Sequence, residues 1–553
     1  MMAVEVAGIT KEDISPRLTD EQIRRVSGYG SRERLSPESL LFDEGNTHID
    51  FFVILSGRVE IRQYSGEGFR LVVEAGPGSF VGDPATLSGS AAVVQAWVAE
   101  EAEVLRVSPA SFQRLVVEDS ELSDLILRTF LIRRSALIEK GHSSIKLIGS
   151  RFARETHRIR EFLTRNNQPF TFLDLEKDPG VATLLEKFGV GVDETPIILH
   201  RDRDICRNPS DEDIADELGL NVVPTDELCD VIVVGSGPAG LASSVYAASE
   251  GLSVTSIDNS PPGGQAGTSS KIENYLGFPT GISGRDLADR AAMQAQKFGA
   301  RLANPVRAVS LRREGANFEV TFADGRKIRG RSVVIATGAK YRRLEVAEAD
   351  RFEGCGIYYG ATAMESDLCN GRDVVIVGGG NSAGQGAVFL ARCARSVHIV
   401  IRRDDLADTM SRYLIRRIEE TPNIHVHPRT CVTGLAGGEC LESIELTTEG
   451  QAPRTIDSGH LFLFIGALPC TAWLDGTLAM DEKGFIKTGA DLLPHELHCF
   501  GWPGEKPPTL FETSMPRVYA VGDARSGSVK RVASAVGEGS IVVQFIHRAL
   551  NEG

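Results

Sequence analysis

Two stretches of this chain share one design, and that repetition constrains the fold more than any other feature. DVIVVGSGPAGLASSVYAASEGLSVTSID (230–258) and DVVIVGGGNSAGQGAVFLARCARSVHIVIRR (373–403) each run an apolar, β-branched strand into a glycine turn, a helix and a second strand. In the first copy the strand ends at Gly235, and the helix opens through Gly237, Pro238, Ala239 and Gly240. Glycines at these spacings permit a tight turn, close approach of a pyrophosphate to the backbone, and close helix–strand packing. The helix N-terminus then turns free N–H groups and a partial positive charge toward the phosphates. Asp258 closes the next strand, where a carboxylate accepts hydrogen bonds from ribose hydroxyls. The second copy puts Gly378, Gly380 and Ala383 in the three positions, with Asn381 and Ser382 between them, and its closing strand ends in Arg402 and Arg403. Two guanidinium groups there suit the 2′-phosphate of NADP better than the free diol of NAD. A solvated basic pair at a strand end is the other reading.

The rest of the 553 residues leaves room for three or four domains. After residue 228, β-branched runs alternate with glycine turns and helical stretches, which predicts parallel α/β sheets. Residues 1–142 carry short strands punctuated by glycine (FFVILSGRVEIRQY, FRLVVEAGPGSFVGD, VVQAWVAEEAEVLRV), followed by apolar residues at helical spacing. That pattern predicts a jelly-roll-like β-roll with a C-terminal helix. Residues 143–222 alternate IKLIG, THRIREFLTRN, FTFLDL, VATLLEKF, TPIILH and DEDIADELGL, a small α/β unit, with NVVPTDEL as the linker. The expected fold class is therefore α/β, with two Rossmann-like three-layer dinucleotide-binding domains preceded by the roll and the small unit.

Composition narrows the setting. No apolar run approaches the roughly 18 residues of a membrane-spanning helix, and the N-terminus has no signal-like pattern. The formal charge of -15 argues against an extended nucleic-acid footprint. A cytoplasmic protein is expected, with no membrane or nucleic-acid partner and no metal site. The nine cysteines (206, 229, 355, 369, 393, 431, 440, 470 and 499) are scattered, and no two have CxxC spacing. They read as reduced thiols, not a disulfide framework.

From about residue 228 to the end the chain resembles the thioredoxin-reductase branch of the two-dinucleotide flavoproteins. The motifs that carry the likeness are GSGPAG, GGQAGTSSKIENYLGFP (263–279), ATG (336–338), GGGNSA, RVYAVGDAR and AVGEGS (535–540). The resemblance implies an FAD-binding domain in two parts, 228–342 and 470–553, around an NAD(P)H-binding domain at 343–469. It implies that Gly264, Gln265 and Asn274 lie near the isoalloxazine. Ala336, Thr337 and Gly338, then Gly522, Asp523 and Ala533 on the return segment, complete the FAD set. NADPH would reduce FAD, the two nucleotide domains would rotate against each other during turnover, and the protein would be a homodimer.

The departures bear on mechanism. Where that family carries a redox CxxC, this chain reads YYGATAMESDLCNG, with Gly360 and Ala363 at the cysteine positions. Neither side chain forms a disulfide or a thiolate that attacks one. No catalytic side chain is therefore nominated, and the electron acceptor stays unidentified. Cys355 and Cys369 flank the position, which keeps open a true thioredoxin reductase with a displaced pair. A flavin-based redox sensor is the alternative from another class. The 143–222 unit resembles a thioredoxin or glutaredoxin domain, whose cis-proline matches Thr195-Pro196. Ala153 and Thr156 stand where its cysteines would be, and Cys206 is expected beyond the strand as a structural or exposed thiol. Residues 1–142 resemble a cyclic-nucleotide-binding domain through ILSGRVEI, GPGSFVGD and the helical tail. Gly82-Asp83 stand for that family's Gly-Glu, but Ser90 takes the place of its phosphate-binding arginine, and Arg70 is on another strand. A cyclic nucleotide, another effector, or a purely regulatory or dimerisation role all remain open.

Overall fold

Strand alternation builds the N-terminal roll. Its strands are β1 (Ser31–Leu35), β2 (Leu40–Phe42), β3 (Phe51–Tyr64), β4 (Phe69–Ala75), β5 (Phe80–Val81) and β6 (Gln95–Val107). They pair antiparallel in the order β1-β6-β3-β4, with β2 on β6 and β5 on β3. Phe52, Ile54, Ala96 and Val104 face one core, while their neighbours Phe51, Val53, Leu105 and Val107 face another, as a period of two requires. Helices α1 (Pro109–Glu118) and α2 (Ser120–Glu139) close the second core through Phe112, Leu115, Ile126 and Phe130. Ser108 starts α1 by accepting the Ser111 N–H, with proline at its first position. The computed structural model describes residues 11–64, 68–139, 143–178, 180–200, 204–225, 227–269, 272, 275–352, 355–359, 361, 369–438, 440–503 and 506–552.

The chain divides into two units, one of Met1–Pro262, Asp289–Ile335 and Gly539–Gly553, the other of Gly263–Ala288 and Ala336–Glu538. Within the first, the roll is followed by β7 (Ile145–Gly149), α3 (Arg154–Arg165), β8 (Thr171–Asp174), α4 (Val181–Lys187), β9 (Ile197–His200), β10 (Asp204–Arg207) and α5 (Asp211–Leu218). The sheet runs β10-β9-β7-β8, with β7 parallel to β8 and antiparallel to β9. Strand β10 is not anticipated by the sequence, because DICR is too polar to show alternation and only one of its sides is paired. Cys206 therefore lies within an edge strand, not beyond the sheet.

The same unit continues with β11 (Leu228–Val234), α6 (Pro238–Ser249), β12 (Val254–Ile257), β13 (Arg301–Ala303), β14 (Ala308–Glu314), β15 (Asn317–Phe322) and β16 (Lys327–Ile335). They run β13-β12-β11-β16-β15-β14, parallel from β13 to β16 and then turning into an antiparallel hairpin. Val231 to Val234 are all buried, the continuous apolar run of a strand covered on both faces.

The second unit contains β17 (Ala339–Tyr341), β18 (Ile357–Tyr358), β19 (Asp373–Val377), α7 (Asn381–Leu390), β20 (Ser396–Val400), α8 (Arg412–Glu419) and β21 (Ile424–His427). A meander of β22 (Thr430–Gly437), β23 (Leu441–Thr448) and β24 (Arg454–Ile456) precedes β25 (Leu461–Leu463) and β26 (Ala467–Pro469), the latter paired with β17. The central sheet is parallel, in the order β18-β25-β19-β20-β21. Val374, Ile376, Val397 and Ile399 pack on the helices, whereas Val375, Val377 and Val400 pack on Val432 and Ile444 of the meander. Helices, sheet and meander form three layers.

One expectation is corrected here. Cys355 is joined to Cys440, 85 residues away. The turn between β22 and β23 brings Cys440 beside residue 355, and the Leu441 N–H donates to the Cys355 carbonyl at 3.0 Å. Cys369 is fully buried beside Val374 and Ile376, so Cys355 and Cys369 do not pair. Gly360 and Ala363 lie outside the described residues.

Candidate dinucleotide sites

The first glycine turn is built from both ends. Gly235 sits at φ +112, a region that side-chain-bearing residues seldom enter. Gly237 is the N-cap of α6 and Pro238 its first residue, where a missing N–H costs nothing. A Cβ on Gly240 would lie 1.7 Å from the Gly235 carbonyl oxygen, and one on Gly539 would lie 2.2 Å from that of Ala239. These glycines let the helix lie against the strand and the C-terminal segment against the helix. Asp258 follows β12. Its Oδ2 accepts the Ser236 N–H at 2.5 Å, and its Oδ1 accepts the Ser260 N–H at 2.9 Å and hydroxyl at 3.0 Å. Burial pushes the Asp258 carboxyl up, opposed by those donors and by Arg165. The acid expected to meet ribose hydroxyls thus also fixes the turn.

The second turn is more open. Gly378 is at φ +138, and a Cβ there would lie 2.3 Å from the Phe464 carbonyl oxygen. Gly380 caps α7 in ordinary extended geometry, and a Cβ there would meet nothing within 4 Å. That glycine leaves space, not packing. Ala383 is fully buried in the helix–sheet core. Asn381 Oδ1 accepts the Ser411 N–H at 2.7 Å, the Thr409 hydroxyl donates to the Gly379 carbonyl at 2.7 Å, and Ser382 is exposed. Strand β20 stops at Val400, and beyond it Arg402 and Arg403 are exposed, Arg403 standing 3.3 Å from Asp408.

Further expected residues gather in the second unit. Gly264 is at φ +54, and the Gln265 amide donates to the Ala339 carbonyl. Ala336 is buried, and Gly338 at φ +66 faces open space. Between them Thr337 Oγ1 is buried and, among the described residues, has no hydrogen-bond partner, an orphaned donor that a bound group would satisfy. The Gly522 N–H donates to Glu538 at 2.7 Å, and Glu538 also pairs with Arg525 at 2.6 Å. Burial pushes the Asp523 carboxyl up, opposed by Lys530. Ala533 is exposed near the start of the C-terminal helix Val532–Glu552, and Asn274 lies outside the described residues. Sequence reasoning missed Glu538 as an individual residue. Its signal is a lone carboxylate within the small-residue run AVGEGS. The orphaned Thr337 hydroxyl and the open Gly380 cap fit bound dinucleotides.

The family model described as pyridine nucleotide-disulphide oxidoreductase matches residues 229–539, and the cyclic nucleotide-binding domain model matches 32–119. The chain is similar to a thioredoxin reductase of Mycoplasmopsis pulmonis, at 30% identity over 58% of this chain and 97% of that protein. It is also similar to a bifunctional thioredoxin reductase/thioredoxin of Mycobacterium leprae, at 31% identity over 60% of this chain and 69% of that protein. The crystal structure of T. acidophilum thioredoxin reductase aligns with a TM-score of 0.51 and 27% identity, covering 58% of this chain and 98% of that one.

Proposed function

This chain belongs to the pyridine nucleotide-disulphide oxidoreductase family, as a thioredoxin-reductase-like FAD-dependent NAD(P)H oxidoreductase, and from that premise we propose that it passes electrons from NADPH through FAD to an acceptor other than a CxxC of its own. When bound, the two cofactors supply the hydride chemistry themselves. The chain's residues bind and orient. The first turn, with Gly235, Gly237, Gly240 and Asp258, would hold the FAD pyrophosphate and ribose. Gln265, Thr337, Asp523 and Glu538 belong to the segments assigned to the rest of the flavin. Gly378, Gly380 and Asn381 would seat the nicotinamide dinucleotide, with Arg402 and Arg403 at its 2′-phosphate.

One observation carries this reading: the same glycine turn occurs twice, ending once in a partly buried, hydrogen-bonded acid and once in two exposed arginines. The absence of any CxxC from the sequence supports an external acceptor. In the 143–222 unit, Ala153 is the N-cap of α3, and Thr156 stands beside the cis-proline Pro196 through Gly149. That placement supports reading the unit as a thioredoxin-like domain without thiols, serving as a docking or relay module. The roll would hold a regulatory effector, a cyclic nucleotide being the first to try. By the same resemblance the enzyme is taken as a cytoplasmic homodimer. A second reading, favoured by the Cys355–Cys440 disulfide, is a disulfide reductase with a displaced pair. It predicts thioredoxin-dependent NADPH oxidation that Cys440→Ser abolishes.

The test is an absorption spectrum followed by anaerobic addition of NADPH and, separately, NADH. A flavin spectrum bleached faster by NADPH is expected. A bound flavin that neither nucleotide reduces would defeat the proposal and favour a sensor.

A further inference from the structure

The 143–222 unit lies outside the matched oxidoreductase segment, which begins at residue 229, yet it grips the loop after β12 from two sides. In α3, Ile159, Phe162 and Leu163 are buried in the unit's own core, which leaves Arg165, the last residue of that helix, on another face. Its Nη2 donates to the Pro261 carbonyl at 3.3 Å and its Nη1 stands 3.5 Å from Glu161. The side chain is only 19% exposed. The chain then turns through Asn167, at φ +54, whose amide donates to Asp289 Oδ1 at 2.7 Å. Just past α5, the Leu220 carbonyl accepts the Asn304 N–H at 3.0 Å and the Asn221 carbonyl accepts Arg326 Nη1 at 3.1 Å.

Both grips end beside Asp258. Asn304 follows Ala303, whose carbonyl accepts the Asp258 N–H at 3.1 Å, and the Asp258 carbonyl accepts the Val306 N–H at 2.7 Å. Pro261 closes the loop that Ser260 ties to the Asp258 carboxylate. An ionised carboxylate has about four acceptor sites. Ser236 takes one on Oδ2, and the Ser260 N–H and hydroxyl take both on Oδ1. One site on Oδ2 is left for a ribose hydroxyl, and a proton on the carboxyl would consume it. Burial favours that proton, whereas the serine donors and the Arg165 charge favour the carboxylate.

We propose that Arg165 is a positioning residue for the flavin: from a domain outside the oxidoreductase fold, it holds the 258–261 loop and sets the Asp258 carboxylate for the FAD ribose. The thiol-free unit is then a working part of the flavin site. Its cation sits at the end of a helix whose other polar residues serve the unit itself, Arg158 pairing with Glu155 at 2.6 Å and with Asp211. This inference rests on reading the first turn as the FAD site.

The experiment strips the flavin from the full chain and titrates FAD back, followed by flavin fluorescence, across about pH 5–8. The unaltered chain is compared with Arg165→Gln and Arg165→Lys, and NADPH binding is measured alongside. Arg165→Gln should bind FAD about threefold to tenfold more weakly at neutral pH, the scale of one lost hydrogen bond. Its affinity should also fail on acidification about one pH unit earlier than that of the unaltered chain, because the proton that fills Oδ2 is no longer opposed by a cation. Arg165→Lys keeps the charge and should keep the acid limb of the unaltered chain. NADPH binding should not change in either. Unchanged FAD binding by a folded Arg165→Gln overturns the proposal. An equal loss at every pH, or a matching loss for NADPH, makes Arg165 a packing residue and overturns its action through Asp258. If Arg165→Gln fails to fold, Arg165→Lys decides, since an acid limb moved with the charge retained overturns the proposal too. Failure of the unaltered chain to bind FAD defeats instead the flavoprotein reading beneath it.

Discussion

The two glycine turns have one sequence pattern but different construction. In the first, the third glycine is demanded by packing, and the closing acid accepts three hydrogen bonds, one from Ser236 in the turn and two from Ser260. In the second, the third position is the fully buried Ala383, a Cβ on the cap Gly380 would meet nothing within 4 Å, and the closing arginines are exposed. Preorganisation by part-buried hydrogen bonds fits a cofactor that stays bound. An open cap with exposed cations fits a nucleotide that enters and leaves on each turnover. The difference shows that one motif can spend its residues on stability at one copy and on exchange at the other.

Stability should separate the copies most sharply at the glycines. Gly240→Ala forces a methyl against a backbone carbonyl 1.7 Å away and should cost about 3 kcal/mol, the upper end for overpacking, with loss of bound flavin. Gly380→Ala meets nothing within 4 Å and should change stability by less than about 0.5 kcal/mol while weakening nucleotide binding. Thermal unfolding and flavin content measure both, and equal losses would erase the distinction. Next in size is Asp258→Ala. It leaves the buried Ser236 N–H without its acceptor, at about 1–3 kcal/mol for a buried orphan. Full flavin occupancy and an unchanged melting point in that variant would mean that the acid does not hold the turn.

The residues that were legible in the sequence share a reason. Glycine turns, β-branched runs and strand-closing charges are local patterns, so Gly235, Gly378, Asp258 and Arg402 could be singled out from short windows. The layering of residues 343–469 follows from the alternation of Val374 to Val377 in the same way. Cys440 could not be found, because its partner Cys355 is 85 residues distant and the hairpin that joins them has no short-range signature. Strand β10 was invisible because edge strands need no apolar alternation.

Acidification should move the two copies in opposite directions. The Asp258 carboxyl is raised above its ordinary 3.8, so the folded state holds that proton more tightly. Its contribution to stability is therefore complete below the ordinary value and is lost as pH rises through the raised one. Beside the second copy, His427 on β21 is lowered from 6.5 to about 4 by burial first, then by Arg454, His398 and His425. The folded state keeps His427 neutral, so its contribution is complete above pH 6.5 and is lost as pH falls toward 4. Denaturant unfolding of Asp258→Asn and His427→Gln across pH 4–8, set against the unaltered chain, should give pH-dependent differences of opposite sign. Parallel profiles would remove the contrast.

The smallest effect on stability should come from the closing arginines. Both are exposed, and a surface pair such as Arg403–Asp408 contributes about 0–1 kcal/mol. Replacing Arg402 and Arg403 by alanine should therefore leave the melting point where it was. The kinetic effect is expected to be selective: a KM for NADPH about tenfold higher, from the loss of charge-assisted contacts to a 2′-phosphate, with the KM for NADH little changed. An equal rise for both nucleotides would place the two arginines at a phosphate common to both cofactors and withdraw the NADPH preference. A drop in melting point would instead give the second copy the wired construction of the first, and the division between a held and an exchanging cofactor would no longer follow from these residues.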